Sequence, residues 1–157
     1  MIVYHGSYME VAHPDLLHSR DRVDFGRGFY TTPLPDQARA WCRRFLREGK
    51  PGIVSRYSLE DQVFAEVRAL VFDAYDEDWL DFILACRAGC DESDYEIVRG
   101  GVANDKVFNT VELYFDGLID KGEAIRRLRF ERPNDQICLR TQRVIDRYLH
   151  FEGSEHL

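Results

Sequence analysis

His5 is followed directly by Gly6 and Ser7, and a second cluster comes further on: Asp24-Phe25-Gly26-Arg27-Gly28-Phe29-Tyr30-Thr31-Thr32. The pairing puts an imidazole and a phenol on two short strands, with glycines beside both so that a ligand can approach the backbone. A third short strand, residues 135–139, adds Gln136 and completes a His, Tyr, Gln set. That combination suggests recognition of a nucleotide.

On a strand, His5 shares a face with Val3 and Ser7 while Tyr4 points the other way. A lone histidine in such a place is most often structural; Gly6 shifts the balance, because a missing side chain lets a ligand amide pair with the backbone. Gly26-x-Gly28 is not a dinucleotide fingerprint, since the third glycine and the following helix are absent, and it lacks the Gly-Lys-Ser/Thr of a phosphate loop. A tight turn between strands explains it equally well. There is no Gly-x-Ser-x-Gly elbow and no His-Glu-x-x-His. His13 and His18 lie near Asp15 with poor metal spacing and read as surface residues. Trp41 and Trp79 sit in apolar helical stripes and read as core. Asn104-Asp105 reads as a helix N-cap.

The elements that must position these groups follow from periodicity and punctuation. Residues 2–5 and 29–32 predict strands, and residues 14–18 one helical turn. A helix opens at Pro35-Asp36 and runs to Arg47, with Ala38, Trp41, Cys42 and Phe45 on one stripe and Gly49 just beyond. Residues 53–59 and 63–72 predict strands, and residues 76–90 a helix carrying Trp79, Phe82, Ile83 and Cys86. A strand over 95–98 leads to Gly100-Gly101. Helices over 104–115 and 122–128 are parted by Asp116-Gly117. Pro133-Asn134 breaks the chain before a strand over 136–139, a closing helix covers 141–148, and the last residues fray. The order lacks a regular βαβ alternation and predicts one α+β domain over residues 1–157, two small sheets with helices around them.

Apolar residues make up 45% and charged residues 31% of the 157, which excludes a disordered or fibrous chain. A net charge of −7 argues against a nucleic-acid binder working through an overall basic face, though not against local contact. No run approaches a membrane span. Cys42, Cys86, Cys90 and Cys138 form no CxxC pair and read as small buried thiols of a reducing compartment, so a cytoplasmic location is expected.

Taken together, His5-Gly6-Ser7 and Phe25-Gly26-Arg27-Gly28-Phe29-Tyr30 resemble the motifs of the diphtheria-toxin-like, His-Tyr-Glu branch of the ADP-ribosyltransferases, which includes the poly(ADP-ribose) polymerases. Over nearly all its residues, including 24–32, 101–108 and 135–137, the chain resembles the bacterial domain of unknown function 3990. The resemblance implies an ADP-ribosyltransferase-like split β-sheet core with surrounding helices, and NAD as substrate. It implies that His5 hydrogen-bonds the nicotinamide-side ribose, that the Gly6 backbone grips the carboxamide and that Tyr30 stacks on the nicotinamide. Trp41 stands at the offset of a second stacking residue. Ser7, Gly28 and Thr31 flank these contacts within the NAD-binding motifs. The carboxamide-binding serine of the family falls at Ala38, and its final-strand glutamate at Gln136.

A carboxylate at that last position stabilises the positive charge that develops when nicotinamide leaves ribose. Glutamine orients hydroxyls but supplies neither charge nor base, and Asp135 faces away on a regular strand. The resemblance therefore implies a mono-ADP-ribosyltransferase with a macromolecular acceptor, with Asn104-Asp105 bordering the acceptor side. It also implies a toxin of a toxin–antitoxin pair, neutralised by a small helical protein. A catalytically silent NAD- or ADP-ribose-binding module and an NAD glycohydrolase remain the alternatives.

Overall fold

The computed structural model describes residues 1–101, 105–128 and 134–157. The chain begins with β1 (Ile2–Ser7) and, after a long loop, β2 (Phe29–Thr31). Helix α1 (Pro35–Arg47) has proline in its first turn, where no N–H is needed, and Arg44 and Arg47 in its last, complementing the helix dipole. It leads into β3 (Ile53–Leu59), α2 (Val63–Glu66) and β4 (Ala69–Val71). Helix α3 (Glu77–Ala88) is closed at both ends: the Asp76 side chain accepts from Trp79 N at 2.9 Å, and Gly89 takes the left-handed conformation with φ 71. There follow β5 (Ile97–Gly100), α4 (Asp105–Phe115), α5 (Lys121–Leu128), β6 (Gln136–Leu139), α6 (Gln142–Tyr148) and β7 (Leu149–His156).

The fold is mixed α/β with two open sheets. One has the order β1-β3-β7 and is wholly antiparallel; the other has the order β2-β6-β5-β4, with only β4 and β5 parallel. A single antiparallel bridge between Tyr4 and Thr32 ties β1 to the free edge of β2. The core is split by the four-stranded sheet. Ile97, Ile137 and Leu139 pack on one face with Val3, Phe29 and Tyr57; Val98 and Cys138 pack on the other with Phe25, Trp79 and Ile83. All four residues of β6 are therefore buried, as expected of a central strand covered on both faces.

Several expectations need correction. Residues 63–72 are not one strand: Val63–Glu66 turns as a helix and only Ala69–Val71 pairs, because Phe72 N–H and β4 dock in parallel on β5. The C-terminal residues do not fray but form β7, pairing along the whole of β3 with a bulge opposite Arg56/Tyr57. Residues 14–18 make a hydrogen-bonded turn, Ser19 N to Leu16 O, without a helix. The strand expected over 95–98 lies two residues later. Cys90 is exposed, whereas the other three cysteines are buried. Trp79 is fully buried, but Trp41 is 48% exposed and not core. The cap at Asn104 and the break at Pro133 fall outside the described residues.

No helix among the described residues is long and apolar enough to cross a membrane. Nor do these residues contain a group of three His, Cys, Asp or Glu able to hold a metal ion; His18 Nδ1 pairs with Asp15 at 2.8 Å instead.

Candidate functional site

The site is built where the two sheets touch. Tyr4 N–H donates to Thr32 O at 2.8 Å and Thr32 N–H to Tyr4 O at 2.9 Å. Along an antiparallel strand the main-chain groups of successive residues point to opposite sides. Those of Gly6, two residues after Tyr4, therefore point off β3 and along the free edge of β2. His5 crosses the same gap with its side chain: Nδ1 donates to Tyr30 O at 2.7 Å, and the ring lies 4.6 Å from that of Phe29. A carbonyl only accepts, so Nδ1 carries the proton and Nε2 of the neutral ring is left as an acceptor.

Burial lowers the His5 pKa from 6.5, outweighing the opposite effect of the Tyr30 carbonyl. The unfolded chain then binds a proton that the folded chain refuses, so stability contributed by His5 is complete above pH 6.5 and lost as pH falls below it. Melting temperatures measured from pH 7.5 down to 5 should decline for the native chain, and less steeply for His5→Gln.

Tyr30 is held at its other end. Its hydroxyl donates to Gly26 O at 2.6 Å and accepts from Phe25 N–H at 2.9 Å. Desolvation pushes the phenol well above its ordinary value of 10. The hydroxyl is thus committed to the loop and is no base, while the ring is fixed as a platform.

Register sets the third position. Tyr30 lies opposite Cys138 and Gly100 opposite Gln136. Tyr30 and Gln136 therefore leave the same face of the sheet at diagonal positions. Gln136 is only 8% exposed, and among the described residues its Nε2 has no hydrogen-bond partner. Such a donor costs about 1–3 kcal/mol when left unmade, and a buried amide of this kind marks a place where a polar group belongs.

Asp135, next to Gln136, already has its carboxylate engaged. Its side chain is held by Arg99, with Nε at 3.0 Å and Nη2 at 2.5 Å, and its carbonyl accepts from Thr32 Oγ1 at 2.6 Å and Gln37 Nε2 at 3.2 Å. Arg99 and Gln37 are the residues that sequence reasoning missed. Gln37 keeps a buried Oε1, unpartnered among the described residues, beside the same strand end.

The remaining motif residues are explained by packing. A Cβ on Gly6 would lie 2.6 Å from Ala38 O and 2.9 Å from Cys42 Sγ, so α1 rests directly on that glycine. A Cβ on Gly28 would overlap Cys138 Sγ and come within 2.9 Å of Leu139 O. Chain contact by itself accounts for the missing side chain at both glycines. Thr31 is buried on the opposite face from Tyr30, with its hydroxyl donating to Ile137 O at 3.3 Å. Ser7 turns its carbonyl to the Cys42 thiol at 3.7 Å. Trp41 stands on α1 beside Cys42, with the Arg44 guanidinium 4.6 Å above its ring.

Tyr30 and Gln136 thus share one face of the four-stranded sheet at the edge where β1 joins β2, whereas the His5 ring lies against Phe29 on the other face and reaches Tyr30 only at its carbonyl. A cavity of about 300 Å3 lined by Lys106, Asn109, Thr110, Leu113 and Arg127 contains none of these groups.

The family described as a protein of unknown function, DUF3990, matches residues 1–151. The chain belongs to that family. No curated protein and no solved structure matches it. For this DUF3990 member the reading of function therefore rests on the junction itself and on the motif resemblance that its residues carry.

Proposed function

We propose that the protein is an NAD-dependent mono-ADP-ribosyltransferase working at the junction of β1, β2 and β6. The observation that carries the proposal is the buried Gln136 Nε2, which has no hydrogen-bond partner among the described residues and lies diagonal to Tyr30 on one face of the sheet. In this reading His5 accepts from a ribose hydroxyl, Gly6 pairs with the carboxamide, and the Tyr30 ring flanks the nicotinamide with Trp41 as its cover. Gln136 donates to a ribose hydroxyl. The bond from nicotinamide nitrogen to ribose carbon breaks with its electron pair leaving on nicotinamide. The acceptor's nucleophile bonds to that carbon, and its proton passes to solvent. Without a carboxylate, the rate enhancement comes from positioning and fixed dipoles. The resemblance adds a toxin's setting, in which a small helical protein neutralises the activity.

A second reading, a silent NAD-binding module, is favoured by one feature: the carboxylate next to Gln136 in sequence, Asp135, is tied to Arg99. Purified protein incubated in lysate with adenylate-labelled NAD separates the two. The transferase reading expects nicotinamide release together with label on a macromolecule, both falling on the order of 10²-fold in His5→Ala and in Gln136→Ala. Binding of NAD without release supports the silent module, and release without label makes the protein a glycohydrolase.

A further inference from the structure

Helix α1 and the turn after it concentrate positive charge on an acidic protein. Residues 35–50 hold Arg39, Arg43, Arg44, Arg47 and Lys50 against only Asp36 and Glu48, in a chain of net charge −7. Two of these cations are satisfied, Arg39 by Asp36 and Glu155 and Lys50 by Glu48. Among the described residues, Arg43, Arg44 and Arg47 make no ion pair. They are interleaved with aromatic rings. The Arg44 guanidinium lies 4.6 Å from the Trp41 ring and 5.1 Å from that of Phe45. Tyr8 meets Phe45 edge-on at 5.6 Å, and Lys50 Nζ reaches 5.7 Å from Tyr8. The outer rings are open to solvent, Trp41 at 48% and Tyr8 at 49%.

We propose that this ladder of rings and cations docks a short single strand of nucleic acid. Arginines without carboxylate partners suit phosphates, and exposed aromatic faces between them suit unpaired bases, which stack on any such ring. An acidic protein would satisfy the arginines yet leave the Trp41 and Tyr8 faces with nothing planar to cover them. A duplex offers its bases only as groove edges, which rings lying along a helix surface do not read. The net negative charge elsewhere confines contact to this strip, so the site holds a few nucleotides and not a long tract. Trp41 adjoins Cys42, whose sulfur faces Gly6, so the strip lies on the helix that packs against the His5 strand. That such a strand is the ADP-ribosyl acceptor rests on the transferase reading; the docking does not.

The test is fluorescence anisotropy of labelled ten-nucleotide oligothymidylate and oligouridylate at low salt, without NAD. Binding of either is expected, with a salt dependence of log K against log salt of slope about −2, three phosphates at about −0.7 each. Trp41→Ala should weaken it about tenfold, and the triple variant Arg43→Ala, Arg44→Ala, Arg47→Ala should abolish it. Arg126→Ala with Arg127→Ala on α5 should leave it unchanged. His5→Ala should also bind normally, so loss of transfer and loss of docking are separable. Circular dichroism confirms that each variant folds. No binding of either oligonucleotide overturns the proposal. So does binding indifferent to Trp41→Ala, and so does equal displacement by polyglutamate, which would make the strip an acidic-protein surface.

Discussion

Gln136→Glu should raise nicotinamide release on the order of 10²-fold over the native chain, the scale of one well-placed electrostatic group, while making the protein less stable. The side chain leaves the sheet diagonally beside the Tyr30 ring, where charge would develop on the ribose, and the native amide supplies a dipole but no negative charge. A carboxylate buried there has no counterion within the sheet, because Arg99 is spent on Asp135. Desolvation would therefore raise its pKa. The folded form then holds a proton more tightly than the unfolded chain, so the variant matches the native stability at low pH. It loses stability as pH climbs from about 4.3, the unfolded value, through the raised folded value. Activity follows the opposite course, appearing only once the group ionises. Chromatography of released nicotinamide and melting curves over the same pH series read both. A folded variant with no gain in release would remove Gln136 from the ribose site and with it the transferase reading.

How much of this was legible in the sequence depends on the range of the signal. Helices α1 and α3 carry their own punctuation, Pro35 at one start and Asp76 and Gly89 around the other, so both were found from local chemistry, although the helix expected over 76–90 stops at Ala88 because Gly89 turns left-handed. Strand β3 was read to its exact ends. The stretch 63–72 misled because Val63, Val67, Ala69 and Val71 look like strand residues, while docking against β5 lets only Ala69, Leu70 and Val71 pair and Val67 N–H closes a helical turn on Val63 O. Strand β7 was hidden by its charge: His150, Glu152 and Glu155 look like a solvated tail, yet charged residues are what a sheet edge carries to discourage further pairing. Trp41 fitted the apolar stripe of its helix, but the α1 residues buried against β1 and β3 are Ala38 and Cys42. In the candidate site, residues could be named from the motifs, but how the strands set them side by side could not. The Tyr4–Thr32 bridge, the diagonal of Tyr30 and Gln136, and the Arg99 clamp on Asp135 are all pairings between distant segments, which no local pattern encodes.

The Gly28→Ala variant decides between two accounts of the motif glycine. If the glycine is bare because β2 must lie against β6, the added methyl overlaps Cys138 Sγ and sits 2.9 Å from Leu139 O, and the strands must part. Overpacking at a site lined partly by backbone falls at the upper end of its usual cost, about 3 kcal/mol, a large share of the 5–15 kcal/mol that holds a typical domain together. Urea unfolding should show that loss directly. Cys138→Ala removes the sulfur and leaves a small void, costing about 1 kcal/mol. Because the two changes meet at one contact, the double variant should be more stable than the sum of the single losses by about 1 kcal/mol or more. Strict additivity would shift the cost to the Leu139 carbonyl. If instead the glycine is bare so that NAD can approach, Gly28→Ala should leave the unfolding midpoint nearly unmoved and weaken NAD binding alone. The first outcome is expected, because the pairing of Tyr30 with Cys138 is also what brings Gln136 to the Tyr30 ring. A glycine that serves strand packing thereby sets the geometry of the site without touching the ligand.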